Sequence, residues 1–142
     1  MKFFIASPWR NKIRVEELYA ALTSRGYQCY SFLQSGANLM TGVSIEEEVK
    51  MFSDRLQNWK HDPDIKKIFD SELEGLRQSD AVILLEPAGQ SSLLETGVGF
   101  GMGKKIFVVG SIEKPEVALF GANGFYPDLK TFLDDLPNIA KV

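Results

Sequence analysis

The sequence has few of the residues that usually announce a site. Cys29 is its only cysteine and His61 its only histidine. One cysteine builds neither a disulfide framework nor a thiolate metal cluster, so a reducing, cytoplasmic setting is expected. A single histidine in the polar loop His61-Asp62-Pro63-Asp64 leaves little for a Ser-His-Asp triad or a histidine-rich metal centre. It reads as solvated surface, and neither metal nor cofactor is expected. No apolar run approaches the length that crosses a bilayer, and Met1-Lys2-Phe3-Phe4-Ile5-Ala6 is too short for a signal peptide, so no membrane partner is expected. The net charge of −3 supplies no general attraction for phosphate backbones. That argues against a nucleic-acid polymer and leaves room for a small phosphorylated ligand in one local cationic pocket. Two phosphate-binding motifs are also missing. Gly103-Lys104 continues with Lys105 where a Walker A motif needs a hydroxyl. Glycines 97, 99, 101 and 103 do not fit the dinucleotide fingerprint and start well inside a helical pattern.

What is present fits one domain with a substantial core: 142 residues, 44% hydrophobic and 25% charged. Lys2 to Ala6 reads as a strand, Val15, Leu18, Tyr19 and Leu22 recur at helical spacing as far as Gly26, and Tyr27 to Phe32 resumes strand character. A loop follows at Ser35-Gly36-Ala37-Asn38. Ser44-Ile45-Glu46-Glu47 is a capping-box pattern opening a helix to about Trp59, with Ile45, Val49, Phe52 and Leu56 on one face. Ile65, Ile68, Phe69, Leu73 and Leu76 carry a further helical pattern, which Ser71-Glu72-Leu73-Glu74 could restart. Ala81 to Leu85 is a continuous apolar run, as buried parallel strands are, followed by a helix over Ser92 to Met102 and a strand over Ile106 to Val109. The poor helix formers Gly97, Gly99 and Gly101 predict close packing of that helix on the sheet or a ligand. Val117 to Phe120 reads as a short edge strand, and Tyr126-Pro127-Asp128 leads into a last helix carrying Leu129, Phe132, Leu133 and Leu136. Alternating strands and helices without repeats predict an α/β fold, a three-layer doubly wound parallel sheet of about five strands, flavodoxin-like.

In such sheets ligands bind beyond the carboxyl ends of the strands. The stretch Glu86-Pro87-Ala88-Gly89-Gln90-Ser91-Ser92-Leu93-Leu94-Glu95-Thr96-Gly97, directly after the third strand, therefore marks the expected site. Glu95 has two readings. Ser92-Leu93-Leu94-Glu95 is also a capping box, in which Glu95 only satisfies a backbone N–H, and spacing alone favours that. The chemistry this inventory supports is carboxylate chemistry beside hydroxyls and free backbone N–H groups. Cleaving a C–N or C–O bond at an anomeric carbon fits, because one carboxylate can trap or stabilise the oxocarbenium-like centre while another group handles the leaving group's proton.

The segment Ser79 to Gly97, with its continuation to Gly103-Lys104, resembles the nucleoside 2-deoxyribosyltransferase superfamily, which includes deoxynucleoside monophosphate N-glycosidases. The resemblance implies a flavodoxin-like fold and makes Glu95 the nucleophile that attacks the anomeric carbon. It places a second acid at Glu72, where the family usually has Asp. It makes Ser7, Pro8 and Arg10 of the first loop, with Gly89, Gln90, Ser91 and Ser92, the substrate-binding set, able to hold a 5′-phosphate at a helix start. It also implies a homo-oligomer, a dimer or larger, in which Asn123, Phe125 or Tyr126 reaches a neighbouring pocket. Two departures stand out. Many transferases carry an acid where this chain has Gly89, and an aromatic hydroxyl in their first strand is Phe3 here. The function expected is an N-glycosidase or 2-deoxyribosyltransferase acting on nucleosides or nucleotides. A non-catalytic nucleotide-binding module of the same fold and an NAD-cleaving hydrolase are its rivals. Asp80, at the start of its strand, is expected to be structural.

Overall fold

The computed structural model describes residues 1–35 and 43–141. From Gly36 onward, the loop expected after the second strand lies outside the described residues. Five parallel strands, β1 (Lys2–Ala6), β2 (Gln28–Tyr30), β3 (Ala81–Leu85), β4 (Lys105–Val109) and β5 (Gly124–Tyr126), form one sheet in the order β2-β1-β3-β4-β5. The helices are α1 (Lys12–Ser24), α2 (Ile45–Leu56), α3 (Pro63–Gln78), α4 (Gln90–Gly101) and α5 (Leu129–Ile139).

β3 sits at the centre, paired with β1 through Phe4↔Val82 and with β4 through Ile83↔Phe107. All five of its residues are buried, which is why it carries no polar alternation. Alternate residues of the strands feed two cores. Phe3, Ile5, Ile83, Leu85 and Phe107 pack with Val15, Leu18 and Leu22 of α1 and with Phe132 and Leu136 of α5. Phe4, Ala6, Val82, Leu84 and Ile106 pack on the opposite face with Leu76 of α3 and with Leu93 and Val98 of α4. These layers form the flavodoxin-like α/β sandwich. Each fully buried Leu, Ile or Phe contributes roughly 1.5–3 kcal/mol relative to exposure.

Several local expectations are corrected. The second strand is shorter than Tyr27 to Phe32. Ser31 leaves the sheet and caps a single 3-10 turn, its hydroxyl accepting from the Leu33 N–H at 3.2 Å. α2 ends at Leu56, and a separate 3-10 turn spans Trp59–His61. α3 does not restart at Ser71: it runs unbroken from Pro63, with Asp62 as its cap. Val117–Gly121 is a 3-10 turn and not an edge strand; the edge is β5. α4 starts at Gln90, two residues before Ser92. Of its glycines, Gly99 alone needs the missing side chain for packing. A Cβ there would stand 2.6 Å from Val82 Cγ2, whereas Gly97 and Gly101 face open space. Gly103 ends the helix at φ +76°, a left-handed conformation that favours glycine.

Candidate active site

At the carboxyl edge of the sheet, the loops leaving β1 and β3 pass side by side and then diverge, α1 to one face and α4 to the other. This is the place where the strand order reverses, the usual ligand crevice of an open parallel sheet. Hydrogen bonds staple the two loops together. The Ser7 hydroxyl donates to the Leu85 carbonyl at 2.9 Å, and Asn11 Nδ2 donates to Ser7 Oγ and to the Pro87 carbonyl, both at 2.9 Å. The Arg14 guanidinium donates to the Glu86 carbonyl, and Arg10 donates to the Ala88 carbonyl at 2.9 Å. Gly89 lets the loops touch. A Cβ there would lie 3.3 Å from Pro8 Cβ, so a side chain would require Pro8 to give way.

Between these loops and α3 lies a cleft of about 310 Å³. Ser7, Pro8, Arg10, Glu72, Gly89, Gln90, Ser91, Ser92 and Glu95, the expected catalytic and substrate-binding residues, line it. Their environments differ. The Ser7 and Ser92 hydroxyls are buried and committed to their own chain. Ser92 Oγ accepts from the Gly89 N–H at 2.7 Å and donates to the Gly89 carbonyl at 2.9 Å. Ser92 thus closes the first turn of α4 itself, and Glu95, one turn further on, is not part of the capping box that the spacing suggested. With its capping function removed, the Glu95 side chain turns into the cleft toward α3.

There it faces Glu72, near enough for the two carboxyls to bond when one of them carries a proton. Burial raises both above the ordinary carboxylate range, and the charge of Glu72 raises Glu95 further. Two adjacent carboxylates in a poorly solvated site cannot both ionise cheaply, so they titrate as a pair holding one proton. Arg10 is the cationic side chain in the lining. Gln90, Ser91 and Ser92, the first turn of α4, line the same space, and the free N–H groups of a first helical turn favour an anion.

Sequence reasoning missed part of this site. Trp9, Phe32, Phe52 and Ile68 also line the cleft, Trp9 packing on Phe32 and Ile68 packing with Trp9 and Phe52. Phe52 and Ile68 were legible only as core-facing positions of helices. Tyr30 was not singled out either. Its ring stacks on Phe4 at 5.2 Å and fits against Gly75, where a Cβ would come within 2.7 Å of it. Its hydroxyl lies 2.8 Å from Ser71 Oγ. Burial pushes the phenol up to about 12, and the charges of Glu72 and Glu95 add to that rise. A hydroxyl from β2 therefore stands near the carboxylate pair in a protein whose first strand carries Phe3. Of the residues expected to reach a neighbouring subunit, Asn123 accepts from the Ile106 N–H at 2.8 Å, Tyr126 donates to Asp135 at 2.6 Å, and Phe125 is exposed. Asp80 accepts from the Lys2 N–H at 2.7 Å, at the opposite end of the strands.

No family model and no curated protein matches this sequence. Solved structures do match it. A CMP N-glycosidase from Clostridium botulinum aligns over 98% of this chain and 99% of its own, with a TM-score of 0.59 and 17% identity. A 2-deoxyribosyltransferase from Bacillus psychrosaccharolyticus aligns over 97% of this chain and 91% of its own, with a TM-score of 0.64 and 15% identity. At these identities the likeness establishes a common fold over nearly the whole chain.

Proposed function

We propose that the protein belongs with the nucleoside 2-deoxyribosyltransferases and cleaves the N-glycosidic bond of nucleosides or nucleotides, with Glu95 as nucleophile. The observation that carries this reading is that Glu72 and Glu95 line one cleft at the sheet's switch point, on a fold shared with an N-glycosidase and a deoxyribosyltransferase.

The pair supplies what the reaction needs. One carboxyl must be ionised to attack the anomeric carbon, and one must hold a proton for the departing base. Buried together, the two carboxyls hold one proton between them. Positive charge developing at the anomeric carbon stabilises ionised Glu95 and leaves the proton on Glu72. As the C–N bond breaks, the bonding electrons leave with the base, which takes the proton from Glu72. Glu95 forms an ester to the sugar carbon. Ionised Glu72 then removes a proton from water, giving hydrolysis, or from an incoming base, giving transfer. The Glu72 side chain, one methylene longer than the usual aspartate, enters the cleft beside Glu95 from α3.

Ligand placement follows from the lining. The sugar sits over the carboxylates and the planar base at the Trp9, Phe32 and Phe52 end. A 5′-phosphate lies against Arg10 and the amino end of α4. The chain works as a homo-oligomer in which exposed Phe125 contacts a second copy, which light scattering on the eluted protein tests. Incubation with ribo- and deoxyribonucleosides and their monophosphates, followed by chromatography for free or exchanged base, tests the activity. Base release that falls by at least about 10³-fold in Glu95→Gln supports the reading. No release from any substrate, or an undiminished rate in the variant, refutes it.

A further inference from the structure

α2 is joined to the rest of the molecule in an unusual way. Its only fully buried residue is a glutamate, Glu48, at 2% exposure, while Val49, Met51 and Leu56 stay exposed. Glu48 Oε2 accepts from the Trp9 indole N–H at 2.6 Å and pairs with Lys12 Nζ at 3.4 Å. The Lys12 ammonium also lies 5.3 Å from the centre of the Trp9 ring, and Phe32 packs against that ring at 4.5 Å. An apolar residue at position 48 would attach α2 without desolvating a charge. A buried, charge-assisted bond to an indole N–H gains direction instead, because it fixes the orientation of the ring. Trp9 and Phe52, which α2 carries, both line the cleft beside the carboxylates.

We propose that Glu48 is a positioning residue, a buried latch between α2 and the β1–α1 loop that sets the aromatic wall against which the base of the substrate packs. This rests on the function proposed above for the cleft. The latch acts on ligand binding and leaves the bond-breaking groups on α3 and α4 in place. Its removal therefore raises KM and spares kcat.

The test compares Glu48→Leu, which loses the acceptor, with Glu48→Gln, which keeps one for the indole. Both are made in a Trp59→Phe background, where Trp9 is the only tryptophan. Glu48→Leu is expected to make Trp9 more accessible to acrylamide and to raise KM for base release about tenfold, with kcat within about twofold, the scale of one lost charge-assisted hydrogen bond. Glu48→Gln is expected to restore both readings most of the way. A Glu48→Leu protein with parental KM, or with kcat lowered at unchanged KM, overturns the proposal. If Glu48→Leu does not fold, Glu48→Met, an unbranched side chain of similar length that also lacks an oxygen acceptor for the indole, carries the same comparison. If the parent releases no base, the comparison is made calorimetrically on the affinity for nucleoside monophosphates, in proteins carrying Glu95→Gln. A tenfold loss there upholds the latch while the chemistry falls. Equal affinities, or binding by neither protein, overturn the latch.

Discussion

The two sides of the cleft are built differently. On the sheet side, Glu72 and Glu95 stand on helices locked into the core through Leu76, Leu93 and Val98, and the loops beneath them are stapled by Ser7, Asn11 and Ser92. On the outer side, Trp9 and Phe52 depend on α2, a helix with little apolar burial and one buried carboxylate. In the proposed function, groups that must meet a reacting atom are carried by rigid elements. Groups that only embrace the ligand are carried by an element whose attachment is local and adjustable. This division lets binding preference change by substitutions around α2 without disturbing the carboxylate pair.

The largest break in the comparison is expected on the sheet side. Glu95→Gln removes the proposed nucleophile and should abolish base release while leaving the far-ultraviolet circular dichroism spectrum unchanged. Glu72→Gln should cost about 10²–10³-fold in rate, since it removes proton transfer and leaves the attacking group. It should also flatten one limb of the bell-shaped pH–rate profile expected of a singly protonated pair. A Glu72→Gln enzyme that keeps both limbs would show that the second ionisation belongs elsewhere.

The same pair makes a stability prediction whose sign is fixed by the direction of the shifts. Both folded-state values are raised, so the folded protein holds more protons than the unfolded chain above the ordinary glutamate value of about 4.3. The pair's contribution is fully present below that pH and is lost as pH rises through the raised values. Urea denaturation across this range should therefore show a downward slope that Glu95→Gln reduces, and at neutral pH the variant should be the more stable protein. A parental slope in the variant would contradict the shared-proton description.

Smaller effects sharpen the contrast. Gly75→Ala would drive a methyl group into the Tyr30 ring, and Gly99→Ala one into Val82. Each should cost about 1–3 kcal/mol in denaturant unfolding. Only Gly75→Ala should also alter the pH–rate profile, because Tyr30 stands beside the carboxylates. The smallest expected change is Ser92→Ala, which loses the cap on the Gly89 N–H and about 1 kcal/mol.

What was legible in the sequence follows the same division. The continuous apolar run of β3, the turn after it and the helix carrying Glu95 located the crevice, because a strand buried on both faces leaves an unmistakable pattern. The order of strands and helices gave the sandwich for the same reason. Glu95's freedom from capping was not legible. Ser92 sits at the third helical position, bonding back to Gly89, and the spacing cannot say where a helix that starts at Gln90 begins. Glu48 was indistinguishable from Glu46 and Glu47, since an acidic first turn suits any helix dipole. Its burial depends on Trp9, 39 residues away. Val117 to Phe120 read as a strand because it is apolar, yet Val117 is 94% and Phe120 98% exposed. Sequence patterns record which residues seek burial within an element, and they carry no information about what an adjoining element brings to meet them.

The central claim is that Glu95 bonds to the sugar. Trapping is the direct measurement: the protein is incubated with a 2′-fluorinated nucleotide, in which the electron-withdrawing fluorine slows breakdown of the intermediate, then digested and sequenced by mass spectrometry. The account predicts a glycosyl adduct on the peptide containing Glu95, absent from Glu95→Gln. An adduct on another side chain, or parental base release by Glu95→Gln, would contradict it.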